Sequence, residues 1–322
     1  MKRSRFVQNT EAQLSFCSSP NRHSSAPESF SKISNSSNGG SYIFCKHEDA
    51  LSDVAFCQNS TDSSNFVISC SFDGTVYLWD SRVVQSSPIQ TLKVPPPANC
   101  VAWKENSVAC GFQESGGLFW WDLRNLGEPL NLEESHAEAV TQLLFTEDEK
   151  LFSCGEDGYI CSLYTQNLPD EDEALDYVIN IGSAIYRFGL YESMNPNLWS
   201  ITRTQEVYCF DLDTLDTTSK NQRESLLHAG NKVEGLGNID YFVSCFYDAL
   251  EGKLFIGGGL DNGDLLLLTQ YEEANTLVPF VSLNKGHQDV VRDFVWNTAS
   301  QTITSVGEDG KVCIWKINLG KR

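Results

Sequence analysis

Three stretches of this chain carry histidine, serine and aspartate in an order from which a proton relay can be built. His47 is followed by Ser69 and Asp73, His136 by Ser153 and Asp157, and His287 by Ser305 and Asp309. In each stretch the serine stands four residues before the aspartate. In two of them a tryptophan stands six residues after it, Trp79 and Trp315, whereas Leu163 holds that place in the third. An imidazole between a carboxylate and a hydroxyl is the arrangement that activates a serine nucleophile. The same groups also serve as buried hydrogen-bond chains with a purely structural role, since buried donors and acceptors must be satisfied. Which use applies depends on the elements that carry them.

Other catalytic signatures are absent from the sequence. It has no Gly-x-Ser-x-Gly elbow, no His-Glu-x-x-His and no phosphate loop ending in Gly-Lys-Ser/Thr. Gly257-Gly258-Gly259 leads into Asp261-Asn262-Gly263 without a lysine or a helix signal, so it reads as a tight strand end. The eleven cysteines form no Cys-x-x-Cys pair, which argues against a zinc ribbon or finger. Cys57, Cys70, Cys110, Cys245 and Cys313 sit in apolar, strand-like runs and read as small buried hydrophobes of a reducing compartment. No metal or cofactor is expected.

The supporting elements are short apolar runs separated by turn residues from Tyr42 onward, the pattern of many antiparallel strands. They recur with a period of roughly 40–50 residues, which points to the blades of an all-β propeller. One unit joins His47 to Val54-Ala55-Phe56, Phe66 to Ser69, Asp73-Gly74 and Val76 to Asp80. The frame recurs from His136 through Tyr164 and from Gly286-His287 through Trp315. Degenerate units cover about 98–133, 184–229 and 241–283, which brings the count to six. Pro169 to Ala174 reads as an acidic surface loop, and no amphipathic helix of useful length is apparent.

With this spacing the chain resembles the WD-repeat family. The resemblance implies that His, Ser, Asp and Trp form a structural tetrad inside a blade: His47–Ser69–Asp73–Trp79 and His287–Ser305–Asp309–Trp315 complete, and His136–Ser153–Asp157 short of its tryptophan. Stretches such as Glu173-Ala174-Leu175, Trp199 to Asp216 and Asp240-Tyr241-Phe242 resemble one member of that family in particular. That likeness implies seven blades, so a degenerate seventh stays open beside the six. The last repeat stops after its third strand, and Tyr42-Ile43-Phe44-Cys45 is expected to complete it and close the ring.

Two sets of residues are candidates for binding proteins. Trp-Asp-x-Arg occurs at Trp79 to Arg82 and at Trp121 to Arg124. The first resembles the box of WD-repeat receptors for cullin-4 ubiquitin ligases. Arg82 and Arg124 would project a planar fork from one rim, or merely pair with a neighbouring acid. On the opposite rim Phe72, Glu156 and Glu308 precede the turn aspartates, and an aromatic beside two acids suits a basic peptide.

The formal charge is −20, which repels phosphate backbones and argues against nucleic-acid and acidic-membrane binding. Residues 1–41 are rich in Ser and Asn and read as a flexible arm; residues 42–318 form the propeller and 319–322 a tail. No apolar stretch follows Lys2, Arg3 and Arg5, so a signal peptide is not expected and the location is cytoplasm, nucleus or both. The function expected is a non-enzymatic scaffold for protein partners. A cullin-4 substrate receptor and a propeller hydrolase of the diphthine methylesterase kind are the alternatives.

Overall fold

A computed structural model describes residues 47–317 apart from 58–65, 81–86, 95–96, 115, 126, 134, 192–196, 222–238, 250, 272–275 and 298–299. Among the described residues the strands form six antiparallel sheets in chain order. Blade 1 holds β1 (Leu51–Phe56), β2 (Phe66–Ser71), β3 (Thr75–Asp80) and β4 (Gln90–Lys93). Blade 2 holds β5 (Ala98–Lys104), β6 (Ser107–Phe112), β7 (Leu118–Asp122) and β8 (Leu130–Leu132). Blade 3 holds β9 (Val140–Phe145), β10 (Lys150–Gly155), β11 (Tyr159–Tyr164) and β12 (Leu175–Asn180). Blade 4 holds β13 (Ile185–Tyr191), β14 (Asn197–Thr202), β15 (Val207–Asp211) and β16 (Thr217–Asn221). Blade 5 holds β17 (Tyr241–Asp248), β18 (Lys253–Gly259), β19 (Leu265–Tyr271) and β20 (Thr276–Leu283). Blade 6 has three described strands, β21 (Val291–Asn297), β22 (Thr302–Gly307) and β23 (Val312–Lys316). The architecture is a six-bladed β-propeller.

The sequence patterning explains why the blades stack. Middle strands such as Leu265 to Leu268 are apolar on both faces and buried at 1% exposure or less, because each blade is covered on both sides. Ile68, Val76 and Leu78 of blade 1 pack against Val101 and Trp103 of blade 2. Phe152 and Ile160 of blade 3 meet Phe188 and Leu198 of blade 4. Phe255, Leu265 and Leu267 of blade 5 meet Phe294 and Ile303 of blade 6. The glycine run is part of this packing. A Cβ on Gly257 would run into the Phe294 ring, and one on Gly259 into Tyr241.

In every blade the first strand carries a bulge, at Ser52, Asn99, Thr141, Tyr186, Val243 and Arg292. A bulge leaves one residue outside the ladder and re-aims its side chain. Three of these side chains reach the next blade: Ser52 donates to the Ala98 carbonyl at 2.7 Å, Asn99 to that of Val140 at 2.7 Å and Thr141 to that of Ile185 at 2.9 Å. The residue after the bulge is polar in several blades and lies near the centre of the propeller. There Arg187 of blade 4 bonds Asp293 of blade 6 at 3.0 Å, past blade 5.

Pro169 to Ala174 is not only a loop: Glu171–Ala174 forms one helical turn, which we label α1. Asp170 caps it by accepting the Glu173 amide at 3.1 Å, and acids in a first turn face the positive end of the helix dipole. The arm at 1–41, the strand expected at Tyr42 to Cys45 and the tail at 319–322 lie outside the described residues, as does any seventh blade built from them. Among the described residues no helix is long and apolar enough to cross a membrane.

Candidate functional site

The three His–Ser–Asp sets assemble within blades 1, 3 and 6. The turn between second and third strands places the aspartate, the second strand places the serine, and the loop before the first strand brings in the histidine. In blade 1 His47 Nε2 lies 2.9 Å from Ser69 Oγ, and Trp79 Nε1 donates to the same oxygen at 2.9 Å. His47 Nδ1 lies 3.3 Å from Asp73 and 3.0 Å from Thr75 Oγ1. Blade 6 repeats this with His287 to Ser305 at 2.9 Å, Trp315 to Ser305 at 2.8 Å and His287 to Asp309 at 3.0 Å. In blade 3 His136 lies 2.8 Å from Ser153 and 3.1 Å from Asp157, while Leu163 leaves the serine without an indole donor.

The direction of the relay follows from donor and acceptor capacity. An ionised carboxylate only accepts, so the proton of His47 sits on Nδ1; Trp79 only donates, so the Ser69 hydroxyl proton points to His47 Nε2. Burial holds the His47 pKa below its ordinary value, ahead of the opposing pull of Asp73, and the ring stays neutral. Burial pushes the aspartates upward, but hydrogen bonds outweigh it. Asp73 is held low by Thr75 and the Glu48 amide, Asp157 by His136 and the Ala137 amide, and Asp309 by His287 and the Gln288 amide. Each aspartate therefore ties down the loop that follows its histidine, at 2.8 Å to Glu48 N, 2.9 Å to Ala137 N and 2.9 Å to Gln288 N.

This geometry matches a serine nucleophile with its base in distance but not in access. Ser69, Ser153 and Ser305 are 6%, 1% and 0% exposed. In two blades the hydroxyl oxygen already accepts an indole N–H, and in all three the serine is buried beneath its histidine. The thiols are equally sheltered. Eight of the nine described cysteines are buried and all nine are free. Burial pushes Cys70, Cys100 and Cys245 well above the ordinary thiol range, and Cys154 and Cys161 to about 12.

The rims divide the remaining candidates. Phe72, Glu156 and Glu308 lie on one rim, beside the turns between second and third strands. Phe72 is 38% exposed. The two glutamates are already engaged: Arg203 of the blade 4 turn pairs with Glu156, and Arg292 of the β21 bulge pairs with Glu308. Both arginines lie far from their partners in sequence, and no short motif marks them. On the opposite rim Arg124 closes its fork on Asp122 of its own motif, with Nε at 2.9 Å and Nη2 at 2.7 Å from the carboxylate oxygens. Its side chain is still 72% exposed. It borders a polar depression of about 90 Å³ with Lys104, Glu149 and Thr165. Arg82 lies outside the described residues.

The sequence profile described as "WD domain, G-beta repeat" matches residues 40–80 and 279–316, which span the blades with complete His–Ser–Asp–Trp sets. The chain is a six-bladed β-propeller with WD repeats. It is 29% identical to WD repeat-containing protein GTS1 of Arabidopsis thaliana, over 86% of this chain and 73% of the relative. It is equally 29% identical to the WD repeat-containing protein 89 homolog of Dictyostelium discoideum, over 86% of this chain and 74% of that one. WD repeat-containing protein 89 is the member singled out by the resemblance noted above. Among solved structures, a chain in a crystal structure of the mitotic checkpoint complex superposes with a TM-score of 0.65 at 13% identity, over 85% of this chain and 76% of that one. That likeness concerns the fold. The WD40 profile leaves blades 2 to 4 and all but the end of blade 5 unmatched, although the spacing of His136, Ser153 and Asp157 marks the frame of blade 3.

Proposed function

We propose that this WD40 propeller is a non-enzymatic scaffold that docks protein partners on its rims, in the cytoplasm, the nucleus or both. The observation that carries the reading is the contrast in access. The serine hydroxyls and eight of the nine described thiols are buried, while Phe72 and Arg124 are exposed on the rims. The anchor we favour is Phe72, flanked round the rim by the Glu156–Arg203 and Glu308–Arg292 pairs. A basic peptide would have to displace Arg203 and Arg292 from their carboxylates, so it gains less there than the two glutamates alone suggest.

The test is affinity purification with mass spectrometry, comparing wild type with Phe72→Ala plus Glu308→Ala. Loss of a defined set of partners by tenfold or more, with an unchanged melting temperature, is the expected result. Full retention of every partner by the variant would overturn the rim assignment. A second reading, a cullin-4 substrate receptor, has the exposure of Arg124 in its favour and its engagement with Asp122 against it. Co-purification of the ligase adaptor, lost on Arg82→Ala with Arg124→Ala, would favour that reading. Ester turnover by purified protein that Ser69→Ala abolishes would replace both with a hydrolase, against the burial of that serine.

A further inference from the structure

Blade 3 ends in an outer strand unlike the others. Among the described residues β12 bonds β11 alone, so its second edge is open. An open edge recruits further strands unless lysine, proline or brevity guards it. β4 carries Lys93, β16 carries Lys220, β20 carries Pro279 and β8 is three residues long. β12 has neither lysine nor proline over its six residues. A bulge at Asp176 interrupts it, but Tyr177 to Asn180 run in regular register. The face that β12 adds to the blade is apolar and uncovered. Leu175 and Val178 are 46% and 44% exposed, and Tyr159 of β11 is 37% exposed. Leu175 lies across from Leu163, Val178 from Cys161 and Asn180 from Tyr159, so Leu175, Val178 and Tyr159 share one face. Leu163 packs with Leu132 of blade 2, which makes it the face turned toward that blade. At the register of Val178 the other outer strands hold Thr91, Asn131, Lys220 and Pro279. The repeat itself therefore does not require a valine there.

The charge around this edge selects the occupant. Between Glu128 and Asp176 the sequence has fourteen acidic residues, no arginine and a single lysine, Lys150. That lysine is already held by Asp148 at 3.2 Å and Asp176 at 3.0 Å. Beside the turn that leads into β12 lies a depression of about 410 Å³, lined by Asn131 and Glu133 of blade 2 and by Pro169 to Asp172 of blade 3. We propose that β12 is a docking edge for an extended segment of a partner protein in which lysine or arginine alternates with apolar residues. Backbone hydrogen bonds to the open edge supply affinity whatever the sequence, Leu175 and Val178 select apolar side chains at alternate positions, and the surrounding acids select basic ones between them. A second copy of this chain fits poorly, because its own β12 brings the same acids to the same place. The edge is separate from the rim around Phe72, so failure of either assignment leaves the other standing.

The test uses the full chain and a fluorescein-labelled peptide of about eight residues that alternates lysine with valine, followed by fluorescence anisotropy. Saturable binding is expected. It should be weaker by about tenfold or more for the alternating glutamate–valine peptide, and for a peptide of the same composition with its lysines and valines in separate blocks. Val178→Lys and Leu175→Thr install the residues that blade 4 carries at the same registers, Lys220 and Thr217, so the blade tolerates them. Each should weaken the lysine–valine peptide by about tenfold or more. Leu175→Thr changes no charge, so its effect separates contact with the edge from general attraction to an acidic surface. Bound peptide should also slow hydrogen exchange in residues 175–180, while Phe72→Ala should leave binding unchanged. Absence of binding would overturn the proposal, as would binding that both β12 variants retain or that leaves exchange in β12 unaltered. Loss of binding in Phe72→Ala would overturn it in favour of the rim. A wild-type chain that is dimeric by light scattering and becomes monomeric with Val178→Lys would overturn it in favour of a second copy.

Discussion

Blades 1 and 4 place a serine at the same register of the second strand, and the two serines live differently. Ser69 pairs across the sheet with Val54 and Tyr77, and Ser200 with Phe188 and Tyr208. Ser69 accepts from Trp79 and meets His47. In blade 4 Phe210 stands where the tryptophan would, and the Ser200 hydroxyl, 0% exposed, has no hydrogen-bond partner among the described residues. Both blades nevertheless form four-stranded sheets with the same bulge. The polar network is thus not what makes a blade. Apolar faces do that, and the network ties the entering loop to the turn. A second contrast lies just past the bulge, where blade 1 carries Asp53 and blade 4 carries Arg187. One register position hosts opposite charges, and both point into the region shared with Asp293.

The largest effect expected from breaking this contrast is at the aspartate of a complete network. Asp309→Ala removes the acceptor of His287 and of the Gln288 and Lys311 amides together. Buried donors left without partners cost about 1–3 kcal/mol each, discounted here because part of the site faces water. A loss of about 3 kcal/mol in urea unfolding is expected. A loss below 1 kcal/mol would mean that the network adds nothing to packing.

The charge contrast is sharpened by pH. Burial pushes the Asp53 carboxyl up to about 6, against the lowering effect of the Val101 and Val54 amides and of Arg187. A raised carboxyl pKa means that the folded state pays for ionisation, so Asp53 favours folding more as pH falls from above 6 toward 3.8. The interval corresponds to at most about 3 kcal/mol. His47, with its pKa depressed by burial, acts in the opposite direction: its contribution is present above 6.5 and is lost as pH falls. Subtracting the stability curve of Asp53→Asn from that of wild type isolates the aspartate, since His47 is common to both. The wild type should gain on the variant between pH 7.5 and 4.5. A difference that is flat with pH would show that Asp53 titrates in the folded state as in the unfolded one.

These comparisons also mark what could be read from residue order. Blades 1, 3 and 6 were legible because a His–Ser–Asp network needs fixed spacings between serine, turn aspartate and indole, and Asp-Gly turns punctuate them. Blades 2, 4 and 5 were legible only as alternating apolar runs, because packing tolerates many side chains where a hydrogen-bond chain tolerates few. The rim was half legible. Phe72, Glu156 and Glu308 were found from their place beside the turn, but the arginines that neutralise the acids were not. Arg203 meets Glu156 from the next blade, and Arg292 reaches Glu308 only because a bulge turns it. Neither contact has a sequence period.

The smallest effect isolates what the network is worth, with one substitution at one register position in three blades. Ser69→Ala leaves the Trp79 N–H and His47 Nε2 facing a methyl group, and a loss of about 2 kcal/mol is expected. Ser153→Ala deprives only His136, since Leu163 makes no hydrogen bond, and about 1 kcal/mol should be lost. Ser200→Ala deprives nothing. It removes a buried hydroxyl that has no partner among the described residues, and the desolvation cost of that hydroxyl goes with it. Its stability should match wild type to within about 0.5 kcal/mol or rise slightly. If instead all three variants lose the same amount, the serines act by volume rather than by hydrogen bonding, and the distinction between networked and apolar blades fails. A graded series would show that one position in this propeller repeat is worth what its neighbours make of it.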